Sequence, residues 1–244
     1  MTRSTMTDLR AVAEEGAAWL GPHATAEQVL TWAGETFGKR LVVTSTMQDA
    51  VTVEMTSKVV GRVRTDRGPG DPAVDVVFID TGYHFPETIG TRDAVAAIYD
   101  VRVVTVGPDL TVQEQDRLLG RDLFARNPDR CCFLRKVEPL QRALTDYDAW
   151  ITGLRRVETP ARANAPLVSY NEKYDVVKIN PIAAWTDDEV GAYIEANNVL
   201  VNPLVSEGFL SIGCRPCTVK PLIDGDARSG RWAGRSKTEC GLHL

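Results

Sequence analysis

Short apolar runs alternate with amphipathic stretches along most of the chain. Leu41-Val42-Val43-Thr44, Val74 to Asp80 and Val101 to Val106 are brief, rich in β-branched residues and bounded by turn residues, so they read as buried strands. Trp150-Ile151-Thr152-Gly153-Leu154 reads as a fourth strand, with Leu167 to Tyr170 and Val176 to Ile179 as two shorter ones. Between them the pattern turns helical. Thr25-Ala26-Glu27-Gln28, Thr111-Val112-Gln113-Glu114 and Thr186-Asp187-Asp188-Glu189 place a hydroxyl and an acid or amide three residues apart, the signature of a helix start. The first opens a helix carrying Val29, Leu30, Ala33 and Phe37, the second one ending near Gly120, the third one ending near Asn197. Further helices are expected over 8–20, 50–60, 87–99 and 139–144. From Asn202 onward Gly and Pro recur and periodicity disappears.

Strands alternating with helices of this length predict an α/β fold with a mostly parallel sheet and flanking helices. We expect residues 1–24 to form an N-terminal arm, 25–201 a nucleotide-binding α/β domain, and 202–244 a metal-tethered loop and an irregular, mobile tail that make no independent domain. Ligands of open parallel sheets sit beyond the carboxyl ends of the strands. Three polar stretches fall there: Ser45 to Asp49, Asp80 to His84, and Gly153 to Arg156. The first puts backbone N–H groups and a hydroxyl at a helix start, where an anion is favoured.

Composition narrows the class. The 244 residues are 43% apolar and 25% charged, as in globular proteins, and the net charge of −5 argues against nucleic acid as a partner. No apolar run reaches membrane-spanning length and Met1 to Arg10 lacks an apolar signal core, which predicts a cytoplasmic protein without a membrane partner. In a reducing compartment five cysteines point to metal binding or catalysis rather than disulfides.

Those cysteines fall into a pattern. Cys131-Cys132 and Cys214-Arg215-Pro216-Cys217 are two tight pairs, the ligand count of a tetrahedral zinc or an iron–sulfur cluster. Adjacent thiolates reach a multi-iron cluster, which spreads its ligand sites over several metals, more easily than one zinc. A strained vicinal disulfide is the remaining option. Cys240 stands apart and is free to act as a nucleophile.

In combination, Cys131-Cys132-x-x-Arg135-Lys136-x-x-Pro139-Leu140, Gly153-Leu154-Arg155-Arg156, Cys214-x-x-Cys217, Asp80-Thr81-Gly82-Tyr83-His84-Phe85 and Glu239-Cys240-Gly241-Leu242-His243 make the chain resemble the bacterial assimilatory adenylyl-sulfate (APS) reductases, from about Leu41 onward. The resemblance implies an adenine-nucleotide alpha-hydrolase-like (ATP pyrophosphatase-like) fold. It also implies a [4Fe–4S] cluster on Cys131, Cys132, Cys214 and Cys217, and thioredoxin or a similar dithiol as donor. Ser45-Thr46-Met47-Gln48-Asp49-Ala50 lacks the paired glycines of the pyrophosphatase loop, which argues against ATP cleavage.

The implied reaction is reduction of APS to sulfite and AMP through an S-sulfocysteine on Cys240. Lys136, Arg162, Arg228 and Arg231 would meet the substrate's anionic groups, Ser45 and Asp49 its phosphate or ribose, and Thr81 and Gly82 its adenosine. His243 would bind substrate or lower the Cys240 pKa. The alternatives are a reductase of 3′-phosphoadenylyl sulfate (PAPS) and, from another class, a zinc-stabilised nucleotide-binding module. The sequence leaves a homo-oligomer open.

Overall fold

The six apolar runs become six strands in the computed structural model, which describes residues 8–221, 228–235, 237 and 239–242. They are β1 (Leu41–Thr44), β2 (Val74–Ile79), β3 (Val101–Val106), β4 (Ala149–Thr152), β5 (Val168–Asn171) and β6 (Val176–Ile179). They form one sheet in the order β3-β2-β1-β4-β6-β5, parallel except for β5, which pairs antiparallel with β6. The order reverses between β1 and β4. At that switch point the helices following adjacent strands diverge and leave a crevice at the strands' carboxyl ends.

Three helices start where the hydroxyl–acid pattern placed them. Helices α2 (Ala26–Phe37), α5 (Val112–Leu119) and α9 (Asp187–Asn197) each have a complete capping box, from Thr25 with Gln28, Thr111 with Glu114 and Thr186 with Glu189. With α1 (Leu9–Leu20), α3 (Val51–Val63) and α4 (Pro86–Ile98), α2 covers one sheet face. The N-terminal arm is built into this core, because Leu9 and Ala13 of α1 are buried with Val168, Val177 and Ile179. The other face packs Val42, Val77 and Trp150 against Leu140 and Leu144 of α8 (Glu138–Leu144).

The stretch ahead of α8 differs from the expected short helix over 139–144. After α6 (Leu123–Arg126), α7 (Pro128–Cys132) passes into α8 through a π-helical turn at Phe133–Val137. The Glu138 N–H donates to the Phe133 carbonyl, five residues back. Pro139 explains the widening: it has no N–H for the Arg135 carbonyl, and its ring would collide with that carbonyl in a regular α-turn. Such widened turns cluster at functional sites; this one carries Lys136. A second addition is a single turn, α10 (Pro203–Ser206), capped by Asn202 within the region expected to be irregular.

Candidate active site

A cavity of about 200 Å³ occupies the switch point. Thr44, Ser45 and Thr46 after β1, Val77 to Ile79 of β2, and Thr152 to Leu154 after β4 form part of its wall. Ser45 Oγ accepts the Met47 N–H at 3.0 Å and Asp49 Oδ1 accepts the Val51 N–H at 3.1 Å, so both side chains shape the turn into α3. The N–H groups of Ser45 and Ala50 are also spent, on the carbonyls of Val77 and Leu200. The turn is therefore not an open nest of donors, although Ser45 and Asp49 line the cavity. Burial pushes the Asp49 carboxyl up, only partly opposed by the Val51 N–H and Arg155.

The cations gather at the other end, with Lys136, Arg162, Arg228, Arg231 and Cys240 all on the same cavity's wall. Arg231 lies so close to Gly213 that a Cβ there would stand 2.1 Å from its Nη2, and its Nη1 donates to the Ile212 carbonyl at 3.3 Å. Only glycine leaves the guanidinium room to pass.

Arg162 has another task. Its Nε and Nη2 grip the two Glu239 oxygens at 2.8 Å each, and its Nη1 bonds Glu158. Thr159 Oγ1 donates to Glu239 at 3.2 Å and Arg228 stands 3.5 Å from it. Glu239 is buried. Burial alone would raise its pKa, but Arg162 and Arg228 hold it below the usual carboxylate range. Expected to meet substrate directly, Arg162 instead has every guanidinium nitrogen committed to a carboxylate, and with Glu239 it seats the residue before the nucleophile.

The tail is docked at its other side too. The Gly241 carbonyl accepts Lys173 Nζ at 2.7 Å, and Leu242 packs against the Trp150 face of the sheet. Cys240 is thereby half-buried at the cationic end. Burial pushes its thiol up, yet Lys136, the Leu242 N–H, Arg231 and Arg228 outweigh that and leave the pKa below the ordinary thiol value. His243, the other tail residue named from sequence, lies outside the described residues.

Behind Lys136 is a second, smaller cavity lined by Cys131, Cys132, Cys214 and Cys217. Tyr83, Phe124 and Trp232 supply aromatic walls, and Lys136 and Arg231 line both cavities. Burial, then repulsion from the other three cysteines, pushes Cys131 up to about 12; burial pushes Cys132 up to about 11 and raises Cys217. Thiols this crowded ionise readily only around a cation. Among the described residues, no three Cys, His, Asp or Glu converge closely enough for a single metal ion. Four thiols lining one cavity are a donor set that a zinc ion or an iron–sulfur cluster could use.

Thr81 and Gly82, expected to line an adenosine pocket, lie elsewhere. Thr81 is buried with its Oγ1 3.3 Å from Cys214 Sγ, and its carbonyl accepts Arg135 Nε at 2.6 Å. Gly82, at φ 72°, packs against Arg135. Both support the cysteine cavity. The Asp80-to-His84 turn reaches the main cavity through His84 instead. His84 Nε2 sits 2.9 Å from the Ile79 carbonyl, so that nitrogen carries the hydrogen and Nδ1 is left as an acceptor without a partner among the described residues.

Sequence reasoning also passed over Trp232, 3% exposed, with a left-handed φ of 49°. The Arg231 and Arg228 guanidinium carbons lie 4.6 and 5.7 Å from its ring centre. Its backbone N–H donates to the Cys217 carbonyl at 3.0 Å, next to an antiparallel bridge between Thr218 and Arg231. An aromatic in a basic tail was the available signal.

The family model described as "Phosphoadenosine phosphosulfate reductase domain" matches residues 40–220. An "Adenosine 5'-phosphosulfate reductase" of Mycolicibacterium smegmatis is 61% identical, the match covering 100% of this chain and 98% of the relative. A protein of the same name from Mycobacteroides abscessus is 57% identical, over 100% and 99%. Among solved structures, a phosphoadenylyl-sulfate reductase of Candida auris superposes with a TM-score of 0.68 at 29% identity, covering 88% of this chain and all of that one. An FMN adenylyltransferase of Candida glabrata, at TM-score 0.57 and 10% identity over 98% and 78% of the chains, shares the fold alone.

Proposed function

Since this chain belongs to the phosphoadenosine phosphosulfate reductase domain family, and to the bacterial adenosine 5'-phosphosulfate reductases within it, we propose that it reduces APS to sulfite and AMP in sulfate assimilation, with Cys240 as nucleophile. One observation carries this reading. The free thiol Cys240, its pKa lowered, stands at the cationic end of the switch-point cavity beside Lys136, Arg228 and Arg231.

The Cys240 thiolate attacks the sulfur of the mixed anhydride. A sulfur–sulfur bond forms, the bond to the bridging oxygen breaks, and AMP leaves with the electron pair. A thiolate of thioredoxin or a similar dithiol then attacks Cys240 Sγ and expels sulfite. The donor's second thiol resolves the mixed disulfide and returns Cys240 as a thiol. Sulfur gains two electrons and the donor's two thiols become a disulfide.

Lys136, Arg228 and Arg231 offset the negative charge of substrate and leaving group. His84 lines the same cavity. Asp49, Glu158 and Arg155 stand near one another on the cavity wall, where Arg155 pairs with Asp187 at 2.7 Å and Glu158 with Arg162. The preference for APS over PAPS rests on the family membership. A [4Fe–4S] cluster held by Cys131, Cys132, Cys214 and Cys217 would supply fixed charge and a tether for the loop behind Lys136. No helix among the described residues is long and apolar enough to cross a membrane, and working thiols suit the reducing cytoplasm.

Mass spectrometry of protein mixed with APS, without donor, is the test. The expected product is a single sulfonate adduct on the peptide containing Cys240, absent in Cys240→Ser. An adduct on another cysteine, or none, overturns the reading.

A further inference from the structure

Across the Arg162–Glu239 clamp from the main cavity lies another of about 300 Å³, at the antiparallel edge of the sheet. No part of the proposed reaction uses it. Strand register dictates what faces it. Lys178 of β6 pairs with Ser169 of β5, so their side chains share a face, and Asn171, two residues along β5, lies on that face too. All three line the cavity.

Lys178 is the unusual member. It is only 7% exposed, yet its ammonium has no hydrogen bond or carboxylate partner among the described residues and merely lies 5.3 Å from the Trp150 ring centre. The carboxylate on the cavity wall, Glu239, is already held through both oxygens by Arg162. Burial and the neighbouring Arg162 bring the Lys178 pKa down to about 8, and Glu239 opposes this only weakly. A buried cation without a counter-charge is costly.

The other wall groups show what is missing. Asn180 is engaged at both ends of its amide, accepting from Thr152 at 2.6 Å and donating to the Pro166 carbonyl at 2.8 Å. Asn171 uses its oxygen to accept the Tyr174 N–H at 3.0 Å, which leaves its amide N–H groups to donate. Lys178, Ser169 and Asn171 therefore present an ammonium, a hydroxyl and an amide donor to one space. We propose that this cavity binds a small inorganic oxyanion of the sulfate, phosphate or sulfite type, held by Lys178 Nζ with Ser169 Oγ and Asn171 Nδ2. The anion supplies the charge the lysine lacks, at a site separate from the one that takes the nucleotide.

Equilibrium dialysis of labelled phosphate, sulfate and sulfite, in separate arms, against the full-length holoenzyme tests this. Wild type should bind two equivalents, one displaced by saturating AMP and one not. The AMP-resistant equivalent should weaken at least tenfold in Lys178→Met, several-fold in Asn171→Ala and Ser169→Ala, and on raising the pH above about 8. The arm that binds most tightly identifies the anion. Lys178→Met keeps the packing and removes an unpaired buried charge, so it should melt no lower than wild type, and lost binding will not reflect lost fold. An AMP-resistant site unchanged in Lys178→Met, or no AMP-resistant binding in any arm, overturns the proposal. AMP displacing neither equivalent would count against the proposed function instead.

Discussion

At the scale of the residue, the thiol chemistry rests on what surrounds each sulfur. Cys240, Cys131, Cys132 and Cys217 all lose water, yet the first is pushed down and the other three up. Cys240 looks onto Lys136, Arg231 and Arg228; Cys131 looks onto other thiols. The thiolate is the reactive form, so a lowered pKa moves the reactivity profile toward acid. The alkylation rate of Cys240 by iodoacetamide should therefore reach half its plateau below the ordinary thiol value of about 8.5. Lys136→Ala or Arg231→Ala should move that midpoint to higher pH, and overlapping profiles would remove the cations from the explanation. Cys240 was legible in the sequence because it is the cysteine left over from two pairs. The task of Arg162 was not: an arginine near an anionic substrate reads as a ligand, and only its contacts with Glu239 and Glu158 show it gripping the tail instead.

At the scale of the element, local chemistry wrote the regular parts plainly. Three capping boxes gave three helix starts, and β1 and β3 have the residue limits that their apolar runs suggest. The helical run from Pro128 to Leu144 was harder to read, because Pro139 looks like a breaker and is in fact the cause of a π-turn. Thr81 and Gly82 were misplaced for a related reason: a polar turn after a parallel strand faces two ways, and the one after β2 sends His84 to the main cavity and Thr81 to the cysteines. Gly213 tests the packing of the 212–217 loop. Gly213→Ala should displace the Arg231 side chain while sparing the fold, since the obstacle is the end of a flexible side chain. Losing one charge-assisted contact of about 1.5–3 kcal/mol corresponds to a roughly ten- to hundredfold fall in kcat/KM for APS. An unaltered kcat/KM would show that Arg231 reaches substrate by another route.

At the scale of the whole molecule, the sheet is a frame for two cavities that share Lys136 and Arg231 as a partition. The tail crosses from one to the other: Trp232 and Arg231 pair with Cys217 and Thr218, and Cys240 then reaches the switch point. The mostly parallel sheet followed from alternation along the chain, but this lacing did not, because it depends on single backbone pairings with no periodic signal. It implies that loss of the proposed cluster would unlace the tail. Cys217→Ser, or removal of metal by a chelator, should lower bound iron and acid-labile sulfide and speed tryptic cleavage after Arg228 or Arg231 at least severalfold. An unchanged cleavage rate would mean the lacing holds without the cysteines. The seated tail has one more implication. With Glu239 clamped on one side of Cys240 and Leu242 wedged against the sheet on the other, the sulfur is approached by way of the crevice itself. A covalent inhibitor should therefore succeed by shape before reactivity: a mild electrophile on a flat, anion-tipped scaffold that fills the crevice should outpace a stronger but featureless one.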